Sequence, residues 1–501
     1  MKRLLALFLV RAYLVPAGTG FAAPAVWFGV EPSADEPAVQ PYRKTAATVS
    51  ETLSGGGTQT NPYLISDVSD MLFFSERVNA GDETYRLAYY RQTGDICLTG
   101  SSFLPIGTEE FPFEGEYDGD GYLIEHDDFR VSGDYAGVFG RAKNASFRNI
   151  NVKMNLVVTN DARTVAGGLC GEYSADINGR TAEITRCTTA GNLEVVASAS
   201  AGYAGGLFGK CAASAGRILV SDCMSAMDVS ATGNTTAYAG GIAAYASGDF
   251  SGIVQLRRCV AEQKVRACGV LYYAYAGGLS GWFAQSTDAW SGWVDASAAK
   301  RLTAVTESQP YNIADCVTAS AIEGVSGYAP GTHIGWLCSY AQDDVKTSNS
   351  YHLRREGVVP TVKSENGTEI ALRSELFEKT FLAQTGGFDF ENIWLFLQSG
   401  KVALQNRLSF LDAYAEESGA LSVQPVGCSA GVLFAVYRDE NGRVLDVVTA
   451  SYDGVSESVT YPAPETAEHA KRSVQIHLID PVSLKPLARF SARVTLLPVK
   501  A

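Results

Sequence analysis

Ala204-Gly-Gly-Leu-Phe-Gly209, followed by Val220-Ser-Asp-Cys-Met-Ser225, is the stretch of this chain that decides its fold. The first phrase returns as Tyr135-Ala-Gly-Val-Phe-Gly140, Ala166-Gly-Gly-Leu-Cys-Gly171, Ala239-Gly-Gly-Ile-Ala-Ala244 and Ala276-Gly-Gly-Leu-Ser-Gly281, with a worn copy at His333-Ile-Gly-Trp-Leu-Cys338. The second returns as Phe147-Arg-Asn-Ile-Asn-Val152, Ile184-Thr-Arg-Cys-Thr-Thr189, Leu256-Arg-Arg-Cys-Val-Ala261 and Ile313-Ala-Asp-Cys-Val-Thr318, and Tyr351 closes the series. Both series keep a period of about 36 residues. Both lengthen once, to 57, so one copy carries an insertion of about twenty residues, at 282–310.

Between the markers the chain alternates apolar and polar residues in short runs, such as 218–220 and 227–230. Gly, Ser, Asn and Asp break these runs, and helical periodicity is almost absent. Such a unit cannot bury its apolar side alone. Stacked on copies of itself it can, each strand pairing in parallel with its counterpart one repeat on. The paired glycines suit a tight corner, where a Cβ would clash or φ must be positive. The expectation is an all-β chain in which residues 132–407 wind into a right-handed parallel β-helix, with coils about 4.8 Å apart. A β-propeller is the runner-up, but its blades need ~40–50 residues and a signature of their own.

The period places Cys187, Cys223, Cys259 and Cys316 in one inward column, a structural ladder. A metal–thiolate column or a disulfide chain is the functional alternative. Small apolar filling is favoured, because adjacent coils hold Cβ atoms near 4.8 Å, beyond the ~3.5–4.5 Å of a disulfide. No His or carboxylate shares the period, so no metal and no cofactor is expected. Tyr203, Tyr238 and Tyr275 make a second ladder, also read as packing. Alternation of side chains along a strand sends Asp222 to the face opposite Cys223, into solvent.

The chain has 501 residues and a net charge of −14. An acidic chain repels phosphate backbones, which argues against nucleic acid as a partner. Ten cysteines occur without a CxxC pair, so zinc ribbons and thioredoxin-type sites lose their signature. Lys2 and Arg3, the apolar run 4–10 and the small residues up to Ala25 are the three parts of a secretory signal, and residues 1–22 are assigned to it. Beyond it no stretch is long and apolar enough to span a membrane. Residues 23–56, rich in Pro, Ala, Ser and Gly, form a leader and linker.

Residues 57–131 read as an N-terminal cap covering an otherwise open sheet edge. A helix is expected at about 67–80, with Asp67 as N-cap, Asp70 favouring the dipole and Gly81 ending it. Short strands follow. The series Asn61-Pro-Tyr-Leu-Ile65, Asp95-Ile-Cys-Leu98, Pro105-Ile-Gly107 and Phe113-x-Gly-x-Tyr-Asp-Gly-x-Gly121, then Tyr-Ala-Gly-x-Phe-Gly, resembles the GLUG-motif, adhesin-like exported proteins of bacteria. The resemblance covers about 57–407, including Asn392-Ile-Trp394 and Val402-Ala-Leu404. Asp120 departs from it, standing where that family usually has Asn. It implies a short helix–strand lead-in, a β-helix and surface attachment, and brings no shared catalytic residues.

Residues 415–501 hold short alternating runs split by turns such as Asp439-Glu-Asn-Gly442, the pattern of an immunoglobulin- or fibronectin-like β-sandwich. Two functions from different classes fit the whole. The first is an exported, non-catalytic surface protein binding a glycan or protein ligand, secreted or held at a bacterial cell surface. The alternative is a carbohydrate-active β-helix enzyme, a polysaccharide lyase or glycosidase. Such an enzyme needs converging carboxylates or Asp-bound Ca²⁺. Glu109, Glu110, Glu114, Glu116, Asp118, Asp120, Glu125, Asp127 and Asp128 are the best candidates for that role, and a solvated acidic face is the competing reading. Within the insertion, Trp290 and Trp293 are the binding candidates, since an indole offers a broad apolar face and an N–H donor. Trp282, directly after a Gly-Gly-Leu-x-Gly phrase, reads as structural.

Overall fold

Each coil of the repeat lays strands into three parallel sheets that wrap one apolar core. The molecule is a computed structural model. It describes residues 49–285 and 311–341, then 345, 347–348, 350–353, 368–370, 379–385, 387–397, 402–406, 409–416, 420–438, 443–461, 472–482, 487–488 and 492–496. The chain forms two units, one of Ala47–Asp412 with Gln424–Gly427, the other taking in Ala413–Val423 and Cys428–Ala501.

In the first unit, the first sheet runs from Tyr63–Ile65 through Tyr89–Gln92, Glu116–Asp118, Ser146–Arg148, Cys170–Thr185, Phe208–Ser221 and Ala243–Arg257 to Ile313–Ala314 and Thr347–Ser348. Register aligns Tyr90, Tyr117, Phe147, Ile184, Val220, Leu256 and Ile313 in one inward column, all buried. The lead-in is therefore continuous with the coils, and its tyrosines open their core column. Helix α1 (Val68–Asn79) lies against this end. Asp67 accepts from the N–H groups of Ser69 and Asp70, and Gly81 follows at φ +80°. Met71, Phe74 and Val78 are buried, with Phe74 stacked 4.0 Å from Tyr90. A four-residue helix, α2 (Glu83–Arg86), follows.

The second sheet stacks Tyr135–Ala136, Thr164–Gly167, Gly202–Gly205, Thr236–Gly240, Tyr273–Gly277 and Thr332–Gly335. The Gly-Gly phrase makes the corner from this sheet into the first. In the copies with two glycines these answer to close approach rather than to positive φ. A Cβ on Gly205 would sit 1.8 Å from the Phe208 carbonyl oxygen, and one on Gly206 would sit 2.0 Å from that of Gly241 in the next coil.

The corner from the first sheet into the third is turned differently, by left-handed residues that are not glycine. Asn149, Arg186, Asp222, Arg258 and Asp315 all have φ between 45° and 58°. Each directly precedes Ile150 or a ladder cysteine. The ladder cysteines are fully buried, and chemistry explains the choice of residue. The Cys187 N–H donates to Cys223 Sγ in the next coil at 3.5 Å, and Cys259 N–H to Cys316 Sγ at 3.4 Å. Each thiol in turn donates to the carbonyl two residues back, at 3.3–3.4 Å. Sulfur thus satisfies an amide left over by the turn, which alanine could not do. Cys316 N–H donates to Ser350 Oγ at 3.3 Å, so Ser350 closes the column; Tyr351 pairs with Val317 and sits one residue beyond it.

Asp222 is not in solvent. It is 5% exposed, bonded by both guanidinium arms of Arg258 at 2.7 Å and by Trp394 Nε1 at 3.3 Å. The alternation rule fails because Asp222 occupies the turn, not the strand. It is met by Trp394 of the antiparallel hairpin Trp394–Phe396/Val402–Leu404, and helix α3 (Lys379–Thr385) belongs to the same returning segment. Leu382, Phe388, Trp394 and Leu404 pack there on Met224, Val260, Val317 and Tyr351 of the third sheet. That sheet runs from Ile96–Cys97 and Leu123–Val131 through Asn151–Asn160, Thr188–Ala197 and Met224–Gly233 to Tyr351–Leu353 and Thr368–Ile370.

The second unit is built from antiparallel strands. Gly431–Arg438 is flanked by Val444–Tyr452 and Arg472–Ile479, and the latter pairs with Ala492–Leu496. Leu421–Val426 pairs with Val459–Tyr461 in a separate sheet.

Candidate functional site

The outer surface of the Gly-Gly corner carries two columns of side chains that face each other. On the second sheet, register aligns Tyr135, Val165, Tyr203, Tyr238, Tyr275 and His333. On the first sheet it aligns Arg141, Glu172, Lys210, Tyr245 and Trp282. Outward rings of the two columns touch: Tyr203 meets Tyr245 at 6.2 Å and Tyr275 meets Trp282 at 5.2 Å, both edge to face. Outward groups from two sheets can touch only where the surface folds inward, so this corner is a cleft.

Its upper half is aromatic. Tyr203, Tyr238, Tyr275 and His333 stack 4.6, 5.1 and 4.7 Å apart, within 9° of parallel. Trp282 stacks on Tyr340 at 3.8 Å. Burial pushes the Tyr203 and Tyr238 phenols above their ordinary range and that of Tyr275 up to about 12, and it lowers His333. At neutral pH the phenols keep their protons. Among the described residues the hydroxyls of Tyr203, Tyr238 and Tyr275 have no hydrogen-bond partner, and none is a fully buried atom. Beside the stack, the corner Val270-Leu271-Tyr272-Tyr273 leaves four apolar side chains 40–53% exposed.

The lower half is ionic. Glu172, whose side chain is 8% exposed, is approached by Arg163 at 3.2 Å, Arg141 at 3.3 Å and Lys210 at 3.5 Å. Arg163 also donates to Tyr135 Oη at 2.8 Å, and both arginines lie over the Tyr135 ring, at 4.8 and 5.8 Å. Arg163 thereby fills the level at which Val165 interrupts the column of rings.

Arg141 is shared with an open hollow of about 610 Å³ between the first sheet and the lead-in, lined among others by Arg86, Glu109, Glu110, Glu114, Lys143 and Asp176. Its carboxylates are mostly paired: Glu114 with Arg86, Glu109 with Arg141 at 3.6 Å, Asp176 with Lys143 at 2.7 Å. Hydrogen bonds from Asn144 and Lys143 hold Asp176 below the usual carboxylate range. The remaining acidic residues singled out in the sequence do not converge there. Asp118 pairs with Arg148 at 2.9 Å, Asp120 with Arg91 at 2.8 Å, Glu125 with Lys153 at 2.8 Å and Asp128 with Arg130 at 2.9 Å, distributed over two sheets. Among the described residues no cluster of three metal-ligating side chains occurs, and no helix is long and apolar enough to cross a membrane.

Trp290 and Trp293 lie outside the described residues. Trp282 belongs to the strand Ser280–Gln285, so the regular coil runs three residues past it before the insertion begins. Sequence reading found the tyrosine ladder but missed the facing column. Arg141, Glu172, Lys210, Tyr245 and Trp282 share its period, yet their types differ from coil to coil, and a search for identical residues passes over them.

No family model matches the chain. A 152-residue stretch is 28% identical to the "Putative Gly-rich membrane protein" of Evansella cellulosilytica, covering 28% of this chain and 17% of that one. A 146-residue stretch is 31% identical to "Halomucin" of Haloquadratum walsbyi, covering 26% and 2%. The chain thus spans a small part of either relative. Among solved structures, a "putative immunoglobulin A1 protease from Bacteroides ovatus" aligns with a TM-score of 0.43 at 19% identity, over 70% of this chain and 94% of that one.

Proposed function

We propose that this chain is a non-catalytic, exported bacterial surface protein of the GLUG-motif, adhesin-like type, secreted or cell-bound, which holds a glycan or protein ligand in the corner cleft. The first unit is assigned as a right-handed parallel β-helix, the hand that parallel crossovers take almost without exception. The second is assigned as an immunoglobulin- or fibronectin-like sandwich, from its two antiparallel sheets. One observation carries the functional reading. The cleft presents part-buried stacked rings and a cation cluster over successive coils, beside an exposed apolar corner, Val270–Tyr273, of the kind that marks interaction sites.

The enzymatic alternative rests on the hollow beside the lead-in. There Glu114, Glu109 and Asp176 are engaged by Arg86, Arg141 and Lys143, and hydrogen bonds from Asn144 and Lys143 pull Asp176 down rather than up, away from what a general acid needs. A glycan array run beside reducing-sugar release on the same glycans tests the choice. Binding without release is expected; release of new sugar ends would refute it.

A further inference from the structure

We propose that the ionic half of the cleft, with the tyrosine hydroxyls above it, binds an acidic polysaccharide: a glycan strand bearing uronate or sulfate groups that lies along the stack of coils. This rests on the surface-binding reading and commits it to one ligand class.

Charge is the first argument. Three cations converge on the single buried carboxylate of Glu172, at 3.2–3.5 Å. One negative charge cannot balance three. Glu109 reaches Arg141 at 3.6 Å, but its side chain is 74% exposed and well screened. Arg141 also borders the hollow lined by Glu109, Glu110, Glu114, Asp176 and Asp249, so the excess positive charge is local to Arg163 and Lys210, which share Glu172 beside Tyr135 and Tyr203, on a chain whose net charge is −14. The fold does not require it, since the same columns are filled by rings in the coils above.

Preorganisation is the second. Tyr135 and Glu172 hold both guanidinium groups in place, while Arg163 remains 41% exposed and Lys210 24%. A fixed, reachable fork suits carboxylate or sulfate, and little side-chain entropy is left to lose on binding.

The third argument separates a glycan from an acidic peptide. Rings stacked at 4.6–5.1 Å present edges and hydroxyls, not faces or a dry pocket, along the middle of the column. An apolar peptide side chain gains little there. A sugar, with hydroxyls on every residue, meets a row of donors and acceptors.

The test is affinity electrophoresis and calorimetry of the full chain with polygalacturonate, chondroitin sulfate, neutral dextran and polyglutamate. Binding is expected to both acidic glycans, weakening with salt, and not to dextran. Arg163→Gln and Lys210→Gln should each weaken it about tenfold, the loss of one charge-assisted hydrogen bond. Glu172→Gln, which keeps the shape and removes the counter-charge, should tighten it. Tyr238→Phe should weaken binding to the glycans and not to polyglutamate. Polygalacturonate and chondroitin sulfate separate uronate from sulfate as the recognised group. Equal retention by dextran, or binding unchanged in natively folded charge variants, overturns the proposal. So does polyglutamate binding as tight as the glycans with Tyr238→Phe silent. If the chain still adheres to cells in those cases, only the ligand class is wrong. If it binds neither glycans nor cells, the surface-binding reading falls as well.

Discussion

Asp222→Ala offers the sharpest check on how the coils and the returning segment hold together. Asp222 lies in a left-handed turn at φ +53° with its side chain 7% exposed. It accepts two 2.7 Å bonds from Arg258, whose side chain is 26% exposed, and one 3.3 Å bond from Trp394 Nε1, on an indole with no exposure. Truncation leaves the guanidinium part-buried and unpaired, at about 1–2 kcal/mol, and strands the indole N–H, at about 1 kcal/mol. It also forces alanine into the left-handed region, at about 1 kcal/mol. The total is on the order of 3 kcal/mol. Asp222→Asn tolerates the turn and keeps an acceptor for Trp394, losing mainly the charge, so about 1 kcal/mol is expected. Urea unfolding followed by circular dichroism gives both numbers, and tryptophan emission with limited proteolysis reports whether residues 379–406 stay docked. An alanine variant within ~0.5 kcal/mol of wild type, or an asparagine variant as damaged as alanine, would refute this account of the turn.

Arg186 shares the left-handed corner, at φ +52°, and among the described residues has no counterpart to the Arg258 ion pair; Arg186→Asn should relieve strain and stabilise by about 0.5–1 kcal/mol in the same urea assay. The ladder thiols are buried, and desolvation pushes Cys223 and Cys316 well above the ordinary thiol value. A native-state thiol titration should therefore label exposed Cys97 first, with all ten reacting in denaturant without reductant; a disulfide within the ladder would contradict the bonding seen here. Burial alone would raise the Asp118 pKa, but donors from Asn149, Arg148 and the Asp120 N–H outweigh it and lower the value below 3.8. A folded value below the unfolded one gives stability that is present above about pH 4 and lost as pH falls through the folded pKa. Asp118→Asn should accordingly flatten the acid limb of a stability–pH profile, which pH-dependent urea midpoints would show.

The repeat was legible because a solenoid copies a local requirement from coil to coil. Gly205 and Gly206 recur since a carbonyl lies within 2.0 Å of where each Cβ would be. The cysteines recur where the turn leaves an N–H to be met one coil on, as the sulfurs of Cys223 and Cys316 meet those of Cys187 and Cys259. Helix α1 was legible from Asp67 and Gly81, local signals that need no tertiary context. What failed was whatever depends on chain far away. Asp222 looked solvent-facing because Trp394, 172 residues later, is invisible to strand alternation. Tyr351 is the more conspicuous residue at the end of the series, although it is Ser350 that offers Cys316 an acceptor. The acidic run 109–128 looked like a cluster in one dimension, but strand and loop disperse it, and cations from other coils take up most of its charges.

The same logic shows where to look for function on a solenoid. A position facing the core stays apolar in every coil, whether its residue type repeats, as at Cys187, Cys223, Cys259 and Cys316, or varies, as from Tyr90 and Tyr117 to Val220 and Leu256. The outward column Arg141, Glu172, Lys210, Tyr245, Trp282 changes character between the third and fourth members, from ionic to aromatic. Its neighbour across the cleft, Tyr135, Val165, Tyr203, Tyr238, Tyr275, His333, keeps rings almost throughout. Stability does not call for the change: either half would suit a solvent-facing corner, and mixing them gives up the continuous stack that the upper rings achieve. On the proposed binding reading a ligand lying along the axis would call for it, because it would meet each coil with a different part of itself. The break in the column, at Lys210 and Tyr245, is therefore where a bound strand would pass from its charged to its uncharged contacts, and where one substitution should change selectivity more than stability.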